Sequence, residues 1–205
     1  MRTDNYQRDI RIVIVSGPAS EPVTVSEFKD HQRIDHSTDD ALIALYIKAA
    51  RELVEAYTGR RMMPRTEKLY LDDFPPADGI VIAAAPVRAV TKVAVCDDSS
   101  PAVETEFAAS NYVFDTSGPL ARVLLKSGSV WPTIPTDARP RGSAQVTFSS
   151  GYASSSDIPE GMKLGLKLLA AHIYENREAT TPLTVNEIPL GLKYVLQPYV
   201  VWETR

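Results

Sequence analysis

The stretch AAHIYENREA, residues 170–179, concentrates more side chains capable of chemistry than any other part of the chain. His172 stands three residues before Glu175 and four before Asn176, and both spacings place side chains on one face of a helix. A histidine beside a carboxylate could share a metal ion or a proton. A protein metal site needs three or four ligands, however, and the other histidines lie near a different helix start. We therefore interpret His172 as a helix-end residue that is hydrogen-bonded locally and followed by solvated charges.

Other signatures of enzymes are missing or have simple structural explanations. The sequence contains no G-x-S-x-G of a serine hydrolase and neither glycine-rich phosphate-binding pattern, G-x-x-x-x-G-K-[ST] or G-x-G-x-x-G. Paired aspartates occur at one helix start and in two turns, where aspartate is favoured for local reasons: Asp39-Asp40, Asp72-Asp73 and Asp97-Asp98. The sequence therefore predicts no enzyme, no catalytic residue, no metal ligand and no cofactor.

The bulk composition is that of a soluble globular protein. The chain has 205 residues, 44% of them hydrophobic and 23% charged, which is enough for a substantial core. A formal net charge of −4 argues against non-specific binding to nucleic acid. The single cysteine, Cys96, can form neither an internal disulfide nor a cysteine-based zinc site. No apolar run is long enough for a signal core or a membrane span, so we expect synthesis in the cytoplasm and no membrane partner.

Helices are predicted near the start of the chain. A capping box formed by Thr24 and Glu27 opens a short helix. A longer helix is predicted from about Asp39 to Thr58, with Gly59 as its stop. Apolar residues in this helix recur at steps of three and four and predict one buried stripe: Leu42, Tyr46, Ala49, Ala50, Leu53 and Tyr57.

The middle of the chain is β-rich, and helical signals return after it. Short β-like runs alternate with turn clusters between residues 66 and 150, which predicts an antiparallel sheet or a small sandwich. An apolar stripe from Met162 to Ile173 predicts another helix, and a last short helix ends before Pro198. Residues 1–22 carry one short β-like run and are expected to form an arm.

The end of the chain is unusually apolar and aromatic, from Tyr194 to Trp202. Chain ends are usually polar and frayed unless something holds them. Two interpretations stay open at this point: the segment packs on its own domain, or it docks into a neighbouring protein.

Several stretches, taken in order, carry a family resemblance. They are PVTVSE with RID, DDALI, AARELVEAYTGR, YVFD, WP, VTFSSGY, IPE, AHIYENREA, and IPL through PY. This ordered set resembles the head–tail connector, or adaptor, proteins of long-tailed bacteriophages and gene transfer agents. It extends from Pro22 over nearly the whole chain, and no part of it covers residues 1–21.

The resemblance implies a structural protein that forms a ring, commonly dodecameric, below the portal of a capsid. Such a ring extends the DNA channel and provides the platform for tail attachment. The implied partners are the portal protein, a tail-side stopper or tail-terminator protein, further copies of the chain, and DNA that passes through without sequence-specific binding. The implied location is the neck of a virion, assembled in the host cytoplasm.

The resemblance also assigns candidate contact residues. In relatives the C-terminal segment reaches the portal, which assigns portal docking here to Tyr194, Leu196, Tyr199, Val200, Val201 and Trp202. A ring needs two different patches of one subunit to meet on its neighbours, and charged residues would fix their register. We expect the subunit interface to include charged residues on two helices: Arg51, Glu55, Glu175, Arg177 and Glu178.

The predicted fold class is α+β. Residues 23–65 and 157–205 form a helical connector body with the C-terminal docking tail, residues 66–150 form the inserted antiparallel sheet or small sandwich, and residues 1–22 form the N-terminal arm. Three alternatives in function stay open: another neck or tail-completion protein such as a stopper or tail terminator, a small metal-dependent hydrolase built around His172 and Glu175, and a DNA-packaging accessory factor.

Overall fold

The computed structural model describes residues 11–75, 79–136, 138, 141–176 and 190–201, and it divides into two compact units. The β unit contains residues 11–17 and 64–151, and the helical unit contains the described residues between 18 and 63 and between 152 and 201. The fold class is α+β, as predicted. In the described part of the chain, no helix is long and apolar enough to cross a membrane.

The helical unit contains α1 (Val25–Gln32), α2 (Asp40–Thr58), α3 (Glu160–Glu175) and α4 (Leu190–Leu196). A short 3₁₀ turn, Gln197–Tyr199, follows α4 directly. The predicted capping box is confirmed, because the Thr24 hydroxyl accepts from the Glu27 N–H at 3.1 Å and the Glu27 carboxylate accepts from the Thr24 N–H at 2.7 Å. Gly59 ends α2 in the left-handed conformation, with φ of 69°.

The buried stripe of α2 differs from the predicted stripe by about one residue. The core of the helical unit takes Ile43, Ile47, Ala50 and Val54 from this helix. Leu53 is instead 50% exposed. The prediction was wrong because α2 is apolar over more than half of its circumference. Two overlapping sets of apolar residues therefore recur at steps of three and four, and the sequence alone does not show which set is buried. Packing against α3, which supplies Met162 and Leu166 to the same core, selects one of them.

The β unit contains eight strands in the described residues, arranged in two antiparallel sheets. They are β1 (Arg11–Ser16), β2 (Arg65–Leu71), β3 (Ile80–Ile82), β4 (Val87–Cys96), β5 (Glu104–Phe107), β6 (Tyr112–Asp115), β7 (Ala121–Leu125) and β8 (Ala144–Ser150). One sheet has the order β1-β2-β8-β4-β5 and the other has the order β3-β7-β6. Side chains from both sheets share one hydrophobic core, so the unit is a small sandwich.

Two details of the β unit correct the sequence-based expectations. The run predicted as an arm is β1, which pairs antiparallel with β2 so that Ile12 stands opposite Leu69. Apolar and polar residues alternate along β8, which predicts a solvated face that includes Gln145. Gln145 is buried instead, because β8 is the central strand of the larger sheet. Strand order cannot be read from alternation within a single strand, which explains both differences.

Candidate functional site

The structure places His172 in a local helix-end arrangement. The Asn176 side-chain amide donates to the His172 carbonyl oxygen at 2.9 Å and lies 3.3 Å from the His172 Nδ1. Glu175 is exposed beside them. Among the described residues, no group of three or more histidine, cysteine, aspartate or glutamate side chains could hold a metal ion. The hydrogen bonds of Asn176 make this cluster a C-terminal cap of α3, in agreement with the interpretation of His172 as a helix-end residue that is hydrogen-bonded locally.

The C-terminal segment packs against α3 through two glycines. Leu192 and Leu196, one turn apart on α4, are buried in the core of the helical unit. Gly165 makes this approach possible, because a Cβ atom there would stand 2.6 Å from the Leu196 Cδ2. Gly161 lies under the ring of Tyr199 in the same way. The two glycines are one turn apart, so one edge of α3 is a smooth surface on which α4 and the following turn lie.

The same segment is tied to the end of α2 by one backbone hydrogen bond and one hydrogen bond from a side chain. The Val201 N–H donates to the Thr58 carbonyl oxygen at 2.8 Å, and the Arg60 Nε donates to the Tyr199 carbonyl oxygen at 2.7 Å. The C-terminal end of the described segment is therefore fixed to the helical unit by hydrogen bonds as well as by packing.

These contacts separate the predicted docking residues into three groups. Leu196 is 1% exposed in the chain's own core, so its assignment to docking is corrected. Tyr199, Val200 and Val201 are half-buried against their own unit. Tyr194 points away from α3 and is 78% exposed. Trp202 lies outside the described residues.

Arg51 and Glu55 form a charge cluster inside the helical unit. The Arg51 Nε donates to the Glu21 carboxylate at 2.6 Å, and its Nη1 donates to the Glu55 carboxylate at 3.0 Å. The other oxygen of Glu55 accepts from the Met62 N–H at 2.7 Å. Burial disfavours the charge on Arg51, but the hydrogen bond to Glu21 and the charges of Glu55, Glu21 and Glu52 outweigh it and raise its pKa.

This burial corrects the second set of predicted contacts. Arg51 is 3% exposed and Glu55 is 4% exposed, so neither side chain is available to a neighbouring subunit. The spacing of four residues places both side chains on one face of α2, but it cannot show whether that face is covered. Glu175 is exposed, as an interface residue must be before assembly. Arg177 and Glu178 lie outside the described residues.

Two helix surfaces of the unit expose leucines that the sequence did not predict to be contact residues. Leu45 and Leu53 are about half exposed on α2, and Leu164 and Leu168 are about two-fifths exposed on α3. Leu168 also lines an open groove of about 440 Å³ between α3 and α4, together with His172, Glu175 and Leu192. The sequence signal was the excess of apolar positions in both helices over what a single stripe can bury.

A sequence profile for the head completion protein family matches residues 21–186. The fold is similar to a chain in the neck of an empty gene transfer agent (GTA) particle computed with C6 symmetry, with 25% identity and a TM-score of 0.79. It is also similar to a chain in the neck of a native GTA particle computed with C12 symmetry, with 25% identity and a TM-score of 0.75. A third similar chain, in the virion of a native gene transfer agent particle, has 26% identity and a TM-score of 0.75. Each of the three alignments covers 95% of this chain and 97% of the other. No curated protein matches the sequence significantly.

Proposed function

Because the chain belongs to the head completion protein family, we propose that it is a structural component of a virion neck, where it joins a capsid to a tail. The observation that carries this proposal is the match over 95% of the chain to proteins in the necks of gene transfer agent particles. The match includes the β unit as well as the helical unit, so the resemblance extends beyond a common helix packing.

In its finer form, the proposal is a ring below the portal that extends the DNA channel and provides a platform for a tail-side stopper or tail terminator. The symmetries with which the similar necks were computed, C6 and C12, support a cyclic arrangement. A net charge of −4 suits a channel through which DNA slides without sequence-specific binding. In this arrangement the partners are the portal protein, the tail-side protein and further copies of the chain.

Portal docking in this proposal uses the outer side of the C-terminal segment. Leu192 and Leu196 anchor α4 on the core, and this fixes Tyr194 on a rigid support with its ring exposed. Aromatic side chains on rigid supports contribute strongly to interfaces because they bury a large area at a low entropy cost. Tyr199, Val200, Val201 and Trp202 would extend this contact beyond α4.

The proposal includes no enzyme activity. A metal-dependent hydrolase would have His172 and Glu175 at its centre. The hydrogen bond from the Asn176 amide to the His172 carbonyl oxygen supports a structural role at the end of α3 instead. Metal analysis of the purified protein checks this directly. Stoichiometric zinc or manganese that is lost in His172→Ala, together with lost hydrolysis, would establish the hydrolase instead.

Removing the gene from a strain that produces particles tests the structural role. We expect capsids without tails and separate tails in electron micrographs, with complementation by the wild-type gene. Complementation by Tyr194→Ala should be weaker than by Val130→Ala, the control at a residue of the β unit that is equally exposed, at 78%. Complete tailed particles in the deletion strain would contradict the proposal. Tails of uncontrolled length on intact necks would favour a tail terminator.

A further inference from the structure

A closed ring requires two different faces of one subunit to meet on neighbouring copies. We infer that these faces are the outer surface of α2 on one copy and the exposed leucine surface of α3 on the next. The inference rests on the proposed function and identifies the contact on which that function depends.

The α2 face consists of five apolar residues that lie outside the core of the helical unit. At 100° per residue they fall within an arc of about 80°: Leu42, Leu45, Ala49, Leu53 and Ala56. No charged residue interrupts this arc, and Lys48 and Glu52 border it on one side. A contiguous apolar surface on a well-formed helix is typical of a protein contact, whereas single exposed leucines are common.

The α3 face consists of Leu164 and Leu168 and continues into the groove between α3 and α4. Leu192 forms the opposite wall of this groove, so an apolar side chain that enters it is contacted from two helices. Along the axis of α3, Lys167 precedes Leu168 and Glu175 follows it by about two turns. The α3 face therefore combines an apolar groove with the positive charge of Lys167 and the negative charge of Glu175.

The two faces lie on opposite sides of the helix pair. The core side of α2, with Ile47 and Val54, packs against the core side of α3, with Met162 and Leu166. On each helix the exposed leucines lie roughly opposite this contact, because they are rotated by about 180° around the helix axis from the buried residues. Neither face can close on the other within one chain, and together they form a head-to-tail contact between copies.

The bordering charges select an antiparallel arrangement of the two helices. In that arrangement Lys48 of one copy approaches Glu175 of the next, and Glu52 approaches Lys167. A parallel arrangement would oppose like charges at both positions, which is unfavourable. With these pairs aligned, Leu53 of one copy stands next to Leu168 of the other at the entrance of the groove. The α2 face of a second copy therefore complements the α3 face both in apolar contacts and in charge.

Cysteine cross-linking in assembled particles tests the contact. The variant with both Leu53→Cys and Leu168→Cys should form a ladder of covalent multimers under mild oxidation. Each single variant should stay monomeric on a denaturing gel, because the two cysteines belong to different faces. The native Cys96 is buried, and oxidation of the wild-type chain measures any cross-linking that this cysteine causes. Absence of the ladder in particles that contain the double variant, or dimers from either single variant, would overturn the inference.

A charge exchange provides an independent measurement. Lys48→Glu and Glu175→Lys should each lower incorporation into particles several-fold, and the two together should restore it. Lys126→Glu, an exposed lysine of the β unit, is the matched control and should have no effect. Failure of the double exchange to restore incorporation would contradict the antiparallel pairing. A wild-type chain that is absent from particles would instead contradict the proposed function.

Discussion

At the scale of single residues, buried polar groups hold the ends of α2 in place. Arg51 links α2 to the segment before α1 through Glu21, while Glu55 receives the backbone N–H of Met62 after the helix. Burying a charge is costly unless partners with good geometry compensate it. The cluster is therefore a sensitive point of the helical unit, although it lies outside the exposed leucine surfaces of α2 and α3.

Replacing Arg51 with Met should destabilise the protein strongly. The substitution leaves the Glu55 and Glu21 carboxylates without their buried cation, and breaking a buried ion pair costs about 3–5 kcal/mol. Lys48→Met, on the exposed side of the same helix, should change stability by no more than about 0.5 kcal/mol. Chemical denaturation measures both free energies of unfolding. Equal stability of the two variants would show that the cluster does not support the fold.

The two glycines of α3 should respond differently to alanine. In Gly165→Ala the new Cβ meets Leu196, which is fully buried and cannot move aside. Overpacking costs about 1–3 kcal/mol, which exceeds the gain in helix propensity of about 1 kcal/mol. In Gly161→Ala the new Cβ meets the hydroxyl end of the Tyr199 ring, which is only partly buried and can swing away. We therefore expect a lower melting temperature for Gly165→Ala than for Gly161→Ala, and the reverse order would refute this packing argument.

Glu104 on β5 makes the β unit sensitive to acid. Hydrogen bonds from Lys68 and Lys92 lower the pKa of Glu104, although partial burial opposes this. Its stabilising contribution is complete above the ordinary glutamate pKa and is lost as the pH falls through the lowered value. Glu104→Gln should thus be less stable than wild type at pH 7, and the difference should narrow below a pH of about 4. A difference that is independent of pH, or an equal effect of Glu106→Gln at the exposed neighbour, would contradict this assignment.

At the scale of elements, the structure depends on how each strand or helix pairs or packs with its neighbours. The α1 capping box and the limits of α2 could be predicted because they depend on residues within one turn of each other. The partner of β1 could not, since β1 pairs with a strand more than fifty residues later in the sequence. β5 could not be predicted from its own sequence, because ETEF is mostly polar and its strand character depends on pairing with β4. Likewise, the exposure of Tyr194 and the burial of Leu196 are decided by the glycines of α3.

Removing residues 1–16 should destabilise the β unit. The loss of the β1–β2 ladder removes several backbone hydrogen bonds, each with a net contribution of about 1 kcal/mol, and also the partly buried Ile12. Ile12→Ser should reproduce part of the effect, whereas Val13→Ser, on the other side of the strand, should have little effect. Denaturation curves of the three variants check this. Unchanged stability of the truncated chain would show that β1 is an arm after all.

At the scale of the whole molecule, the two units have distinct parts in the proposed role. The helical unit carries the exposed α2 and α3 surfaces and the C-terminal segment, to which the proposal assigns the contacts between copies and with the portal. The β unit has its own core and belongs to the same overall match with neck proteins. A ring repeats each of these contacts in every subunit, so that modest individual contacts can add up to a stable assembly.

A cryo-EM reconstruction of the neck of particles that contain this chain tests the central claim most directly. The account predicts a ring between capsid and tail in which each subunit fits both the helical unit and the β unit, with α4 and Tyr194 towards the portal. A neck without density for these two units, in particles whose tails are attached, would contradict it.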